Sequence, residues 1–316
     1  MKICIIGSGG VGGYFGARLA AAGNEVTFVA RGGHLDALRA NGLRVESALG
    51  VIHVNPVHAT EDPASRGPYD LVIIAVKLWS TGGAVETAAP LMRDDAAIVS
   101  FQNGVEAVPL LCERFGRGRV LGGLAQISAV IEGPGVIRHN GTLQRLVFGE
   151  PDRRRTARVE AFLSTCLEAG IDARVSDDIE RAIWEKFVFL VGLSGMTTLT
   201  RCPLGAILEN PMTRDLLLQV MSEAEWVGRA RGIRLPEDCA ARQLTFMDTL
   251  PRDMVSSMLG DLRRGNPLEL EWLSGTVARI GGELGVDVPA NGFIRAALTL
   301  HAAGRQTLSL PSSGSA

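Results

Sequence analysis

The 316-residue sequence predicts a doubly wound α/β domain with a mostly parallel sheet, followed by an all-α domain. Three observations carry this expectation. The first half alternates short β-branched runs with helical stretches, the pattern of strand–helix–strand units. Its strand runs, such as Leu71–Val76, are continuously apolar, which suits strands covered by helices on both faces. Beyond Ser176 strand signals nearly vanish while helical periodicity continues, and the length itself suggests about two domains.

In chain order, Ile3–Ile6 reads as a strand followed at once by glycines, and Val11–Ala22 as a helix. Gly23-Asn24 makes a turn before a second strand, Val26–Ala30. Leu71–Val76 and Ile98–Phe101 are further strands, Leu143–Phe148 another, and a helix over Thr156–Ala169 with a short strand at Ala173–Val175 completes the domain. Asp177 is placed to cap a long helical stretch. Helices are then expected over Pro211–Gly232, Glu237–Asp248, Leu268–Gly285 and Asn291–Ala303. The expected organisation is therefore 1–176 for the α/β domain, 177–311 for the helical domain and 312–316 for a frayed tail of small residues.

Composition narrows the function classes. Net charge is −2, and Arg153-Arg154-Arg155 is too short a run to make a nucleic-acid surface. The five cysteines are scattered without metal or redox spacing, and the five histidines are equally dispersed, so no metal site is expected. The N-terminus lacks a signal-peptide pattern, and no apolar run of about 20 residues stands out. A cytoplasmic protein without a membrane or nucleic-acid partner is expected, with a homodimer as the assembly to look for.

Gly7-Ser8-Gly9-Gly10-Val11-Gly12 matches G-x-G-x-x-G, follows the first strand and opens a helix, the context that turns a weak pattern into a dinucleotide-binding fingerprint. Gly7 permits the tight turn, Gly9 lets backbone approach a pyrophosphate, and Gly12 lets helix and strand pack closely. The helix N-terminus offers amide donors to the phosphates. A plain glycine-rich turn is the alternative. After the second strand stands Ala30-Arg31-Gly32-Gly33, where an NAD enzyme carries an acidic residue for the ribose 2′-hydroxyl. Arginine cannot accept that bond but can clamp a 2′-phosphate, so NADP(H) is the expected cofactor of this Rossmann-type domain, with a solvated loop residue as the alternative for Arg31. Lys77 and Asn103 follow strands at the carboxyl ends where ligands bind; a surface lysine and an Asn-Gly turn are their alternatives.

Lys186 is the sharpest anomaly. Its helical neighbours at three and four positions, Ala182, Ile183, Phe189 and Leu190, are all apolar, so it projects from a face that should be buried. Desolvation lowers an ammonium pKa and suits it to general acid chemistry near neutral pH, whereas a lysine snorkelling to solvent would be structural. Glu269 lies in Asn266-Pro267-Leu268-Glu269, which reads as a capping box with Asn266 as N-cap; a carboxylate that orients the lysine or holds substrate is the functional reading.

Taken in order, Gly7-x-Gly9-x-x-Gly12, Arg31, Val76-Lys77, Asn103-Gly104, Trp184-x-Lys186, Cys202-Pro203, Ser256-Ser257-Met258-x-x-Asp261 and Glu269 resemble the ketopantoate reductases (2-dehydropantoate 2-reductases) from end to end. The resemblance implies NADPH as hydride donor, a 2-oxo acid as acceptor and an active site in a cleft between the two domains. It implies that Lys186 protonates the forming alkoxide and that Asn103 holds the ribose and the lysine environment. Lys77 and Arg31 would contact NADP, Ser257 the substrate carboxylate, and Glu269 the cofactor or the substrate. Ala129 falls near a cofactor-contact position. The family pocket carries asparagines where this chain has Leu190, Ser194, Leu204 and Met254, so those four line the expected substrate pocket with fewer amides.

The expected activity is NADPH-dependent reduction of a branched 2-oxo acid, with 2-dehydropantoate to pantoate first. A less hydroxylated 2-oxo acid is the alternative, because an apolar pocket discriminates a hydroxyl weakly. A non-catalytic NADP(H) sensor is the rival of another class, and it has no need of Lys186 on an apolar face.

Overall fold

The computed structural model describes residues 1–305; the expected tail at 312–316 lies outside the described residues. Two compact units divide at Ile183/Trp184. The division falls inside a continuous helix rather than at Ser176, where the composition changes.

The first unit contains β1 (Lys2–Ile6), α1 (Gly10–Ala21), β2 (Glu25–Val29), α2 (Gly32–Asn41), β3 (Leu43–Ser47), β4 (Ile52–Val54) and β5 (His58–Thr60). It continues through β6 (Tyr69–Ile74), α3 (Thr81–Ala88), β7 (Met92–Ser100), α4 (Ala107–Phe115), β8 (Val120–Gly133), β9 (Val136–Gly149), α5 (Ala157–Glu168) and β10 (Asp172–Val175). The sheet runs β4-β3-β9-β8-β7-β6-β1-β2-β5, with β10 on β9. Among the described residues every pairing is parallel except β3–β4 and the long β8–β9 hairpin.

Side chains alternate across this sheet as the two-residue repeat of a strand requires. Ile3 and Ile5 join Leu71, Ile73, Ala97 and Val99 against Tyr14, Phe15 and Leu19 of α1 and Phe162 of α5. Cys4 and Ile6 join Val72, Ile74 and Ile98 on the other face, against Val85 and Ala88 of α3 and Leu111 of α4. Both faces are covered, which is why the strands read as unbroken apolar runs. The chain order reverses between β1 and β6, the switch point at which an open α/β sheet leaves a crevice at its strand ends.

Helix α6 (Ile179–Thr200) begins in the first unit and continues into the second. Its N-terminus is held by Asp178 rather than Asp177: the Asp178 carboxylate accepts from the Arg181 amide at 3.3 Å and its carbonyl from Ala182 N–H at 3.1 Å. Helix α6 has 22 residues, and an 18-residue window of it has a mean hydropathy of 1.2, so by length and composition it is long and apolar enough to cross a bilayer, against the expectation that no such stretch exists. Two-thirds of that stretch, 67%, is buried inside the protein, the behaviour of a core helix. The second unit adds α7 (Leu204–Glu209), α8 (Pro211–Ala230), α9 (Cys239–Met247), α10 (Ser257–Arg264), α11 (Ser274–Leu284) and α12 (Pro289–Leu298). Glu223 of α8 is fully buried and accepts from the Ala290 and Asn291 amides, each at 2.8 Å, so a carboxylate from one helix caps the N-terminus of another.

Candidate functional site

In the α/β unit the register aligns Val29 with Ile6, Ile6 with Ile74 and Ile74 with Ser100. The loops leaving β2, β1, β6 and β7 therefore emerge side by side. Arg31, the glycine loop, Lys77 and Asn103, scattered over the sequence, are brought to one edge of the sheet.

The glycine loop is shaped by what its residues lack. Gly7 has φ +102°, which side-chain-bearing residues avoid, and a Cβ there would stand 2.7 Å from the Ala75 carbonyl carbon. A Cβ on Gly12 would collide with the Gly7 carbonyl oxygen and lie 2.9 Å from Ile5 Cγ2. Gly10 is closed off by the backbone of Ala129 on β8, so Ala129 does adjoin the loop. Gly9 alone of the three motif glycines faces open space, with nothing within 4 Å of where its Cβ would be. That opening lies at the N-cap of α1, whose first turn carries no acidic residue. Free amides, a positive helix end and room for an anion fit a dinucleotide pyrophosphate.

Around this opening, Arg31 is exposed at the N-cap of α2, and no hydrogen bond or ion pair among the described residues occupies its guanidinium. Lys77 is exposed, its Nζ 5.8 Å from the centroid of the Trp79 ring. Asn103 is half-buried, next to Gly104 at φ +81°.

In the helical unit Lys186, Leu190, Ser194 and Thr197 lie on one face of α6 by the 3.6-residue repeat. Lys186 is half-buried as a residue, with its ammonium surrounded by protein. Desolvation lowers its pKa from 10.5 to about 8, and the negative charge of Glu269 works in the opposite direction. Glu269 is itself buried, at 7% exposure.

The capping box expected here does not form. Asn266 is not an N-cap: its Nδ2 donates to Asp261 Oδ1 at 3.1 Å, and its amide to the Asp261 carbonyl at 2.9 Å. Glu269 precedes only a short 3-10 turn, Leu270–Trp272, and makes no capping bond to it. Helix α11 starts later, at Ser274. The short-range sequence pattern was overridden because Asp261 captures Asn266, leaving the Glu269 carboxylate to face Lys186 electrostatically.

Of the other expected pocket residues, Ser194 and Leu204 are buried, Leu190 and Met254 are half-buried, and Ser257 is exposed at the first position of α10. Leu204 and Met254 are brought together, the Leu204 amide donating to the Met254 carbonyl at 2.8 Å.

Residues 3–153 match the family model described as ketopantoate reductase PanE/ApbA, and residues 178–302 match its C-terminal counterpart. The chain belongs to the ketopantoate reductase family. An oxidoreductase of Bacillus subtilis is 33% identical over 96% of this chain and 99% of its own. A 2-dehydropantoate 2-reductase of Mesorhizobium japonicum is 34% identical, over 89% of this chain and 91% of its own. A solved 2-dehydropantoate 2-reductase of Geobacter metallireducens superposes with a TM-score of 0.88 at 30% identity, covering 95% of this chain and 99% of that one. The protein is thus a member of an oxidoreductase family, with a family match in each of its two units.

Three residues of this ketopantoate reductase fold escaped the sequence reading. Gln102 is buried and donates from Nε2 to the Val76 carbonyl at 3.0 Å and to Thr81 Oγ1 at 2.8 Å, while Ser100 Oγ donates to its Oε1 at 3.0 Å. It staples the loop bearing Lys77 to the loop bearing Asn103. Thr197 donates to Ser256 Oγ at 2.8 Å, and Ser256 in turn accepts from the Leu259 amide as the N-cap of α10, fixing the helix start that presents Ser257. His34 contacts both the glycine loop and the β8–β9 turn. Asn103, next in sequence, was the only sequence signal for Gln102; Thr197 and His34 had none.

Proposed function

We propose that the protein is an NADPH-dependent reductase of a branched 2-oxo acid, with 2-dehydropantoate, reduced to pantoate for pantothenate biosynthesis, as the first substrate to test. One observation carries the reading: a lysine on an apolar helix face whose ammonium is desolvated to a pKa of about 8 opposite a buried carboxylate. A structural lysine gains nothing from that environment, whereas a proton donor does.

When bound, the dihydronicotinamide supplies a hydride to C2 of the substrate. The chain supplies the rest. The α1 amides and the opening at Gly9 take the pyrophosphate, Arg31 clamps the 2′-phosphate, and Lys77 and Asn103 hold the ribose. Lys186 gives a proton from Nζ to the carbonyl oxygen as negative charge develops on it. With a pKa of about 8, the ammonium is protonated about ten to one at pH 7. Glu269 keeps it so against desolvation, and Ser257 takes the substrate carboxylate. Overall, 2-oxo acid, NADPH and a proton give 2-hydroxy acid and NADP⁺, and Lys186 recovers its proton from solvent.

Leu190, Leu204 and Met254, where the family pattern carries amides, favour a second reading in which the acid is less hydroxylated. An amide left unpaired by a deoxy analogue costs about 1–3 kcal/mol; leucine and methionine impose no such penalty. The deciding experiment measures kcat/KM for 2-dehydropantoate and 2-oxoisovalerate, each with NADPH and NADH, in wild type and Arg31→Ala. NADPH is expected to be preferred, and Arg31→Ala to lose about 1.5–3 kcal/mol of that preference without affecting NADH. Equal use of both cofactors by the wild type removes Arg31 from the cofactor assignment. A substrate ratio below about a thousand supports the second reading; a larger one needs about 4 kcal/mol of discrimination and restores 2-dehydropantoate. Tight NADPH binding without turnover of any 2-oxo acid would leave the sensor.

A further inference from the structure

We infer that His34 is a positioning residue for the dinucleotide phosphates, held as the Nε2–H tautomer between the glycine loop and the β8–β9 turn. The inference rests on the cofactor site proposed above. His34 lies in the first turn of α2, half-buried. The Gly135 amide donates to its Nδ1 at 3.1 Å, so Nδ1 carries no proton. Nε2 therefore carries it and donates to the Ser8 carbonyl at 2.9 Å.

That carbonyl belongs to the peptide joining Ser8 to Gly9. In a trans peptide the C=O and the following N–H point in opposite directions. Anchoring the Ser8 carbonyl on His34 thus turns the Gly9 N–H to the other side of the loop. Gly9 N–H has no acceptor among the described residues, and beside it lies the open space at Gly9. The rest of Ser8 is engaged elsewhere: its amide and its Oγ both donate to the Val29 carbonyl, at 3.3 and 3.0 Å. No other side chain holds the Ser8 carbonyl among the described residues. His34 therefore sets the peptide plane that aims a free donor at an anion. It also joins three parts of one site: the loop, the helix that follows Arg31, and the hairpin whose Ala129 backbone closes on Gly10. The turn rests on α2 independently, since a Cβ on Gly135 would stand 3.3 Å from Ala37 Cβ.

Protonation would break this arrangement, because an imidazolium presents an N–H to the Gly135 N–H. Burial lowers the His34 pKa and the Ser8 bond partly restores it, so the neutral form holds at pH 7. The charged residues on the surrounding elements are Arg31 at the N-cap of α2, Asp36 and Arg39 on α2, Arg44 and Glu46 on β3, and Glu132 and Arg138 flanking the turn. Arg138 pairs with both Glu132 and Glu46, and the glycine loop carries no charge.

The test is NADPH and NADH binding to the full-length protein by calorimetry from pH 5 to 8, for wild type, His34→Gln and His34→Phe. Glutamine can both donate and accept; phenylalanine can do neither. His34→Phe is expected to weaken both nucleotides about tenfold, the worth of a directed hydrogen bond, with kcat at saturating NADPH little changed. His34→Gln is expected to bind within about threefold of wild type at pH 7.5 and to lack the part of the acid-side loss that imidazole protonation causes. The limb due to the 2′-phosphate remains in both and is absent with NADH. ¹⁵N shifts of the ligand-free protein should report the Nε2–H tautomer. If wild type binds and His34→Phe binds equally well, or His34→Gln keeps the whole wild-type acid limb, the inference is overturned while the cofactor site stands. If wild type binds neither nucleotide, the cofactor site falls and this role with it. Should His34→Phe fail to fold, the pH comparison with His34→Gln and the tautomer decide.

Discussion

In the α/β unit the candidate cofactor loop is made of backbone: Gly9 has open space where a side chain would stand, and Gly12 has none to spare against Gly7 and Ile5. In the helical unit the candidate chemistry rests on one long side chain, Lys186, whose charge survives desolvation with Glu269 opposite. The first site is built by excluding atoms, so it fails by steric intrusion and takes local packing with it. The second is built by placing one charge in an apolar face, so deleting that charge removes chemistry while leaving packing intact. The two units should therefore respond to substitution in opposite ways.

The largest separation is expected for Lys186→Ala. Losing the proposed general acid should lower kcat by about a hundred- to ten-thousand-fold. NADPH affinity should stay within about twofold. Steady-state kinetics beside calorimetric binding would check this, and near-normal turnover would reassign Lys186 as structural. Gly12→Ala should do the reverse. The added methyl meets backbone, so relief must come from movement of α1 against β1, a cost of about 1–3 kcal/mol that exceeds the helix-propensity gain of about 1 kcal/mol. NADPH should bind about tenfold or more weakly and the melting temperature fall by several degrees, with kcat at saturation affected less than affinity. A Gly12→Ala protein with unchanged affinity would show that loop shape is not what binds the cofactor.

The same contrast explains what was legible in the sequence. The glycine loop could be read because its constraint is local: Gly7, Gly9 and Gly12 act on a turn and a helix start a few residues long. Lys186 could be read because four neighbours at helical spacing already define its face. The β8–β9 hairpin was largely missed, with only Leu143–Phe148 recognised from its second strand. Strand β8 is buried at its start and exposed towards the turn, whereas β9 is exposed only in its middle, at 140–143, so no single periodicity runs through either. Glu269 was placed in a capping box because Asn266-Pro267-Leu268-Glu269 has the right residues. Its fate was decided by Asp261, which no short window weighs against a cap. Gln102 and His34 act through partners as far away in sequence as Val76 and Gly135, which only the folded sheet brings near.

The smallest expected effect is the most direct test of the central claim, that Lys186 is a proton donor tuned by burial against Glu269. The measurement is the pH dependence of kcat/KM for the best 2-oxo acid at saturating NADPH, in wild type and in Glu269→Gln. In the proposed reaction the protonated lysine is the active form, so activity should be retained below its pKa and fall as pH rises through it, with the wild-type limb near pH 8. Removing the Glu269 charge leaves desolvation unopposed, so the limb should move to lower pH in Glu269→Gln, with the loss greatest at and above neutrality. A limb at the same pH in both proteins, or no basic limb at all in the wild type, would contradict the account.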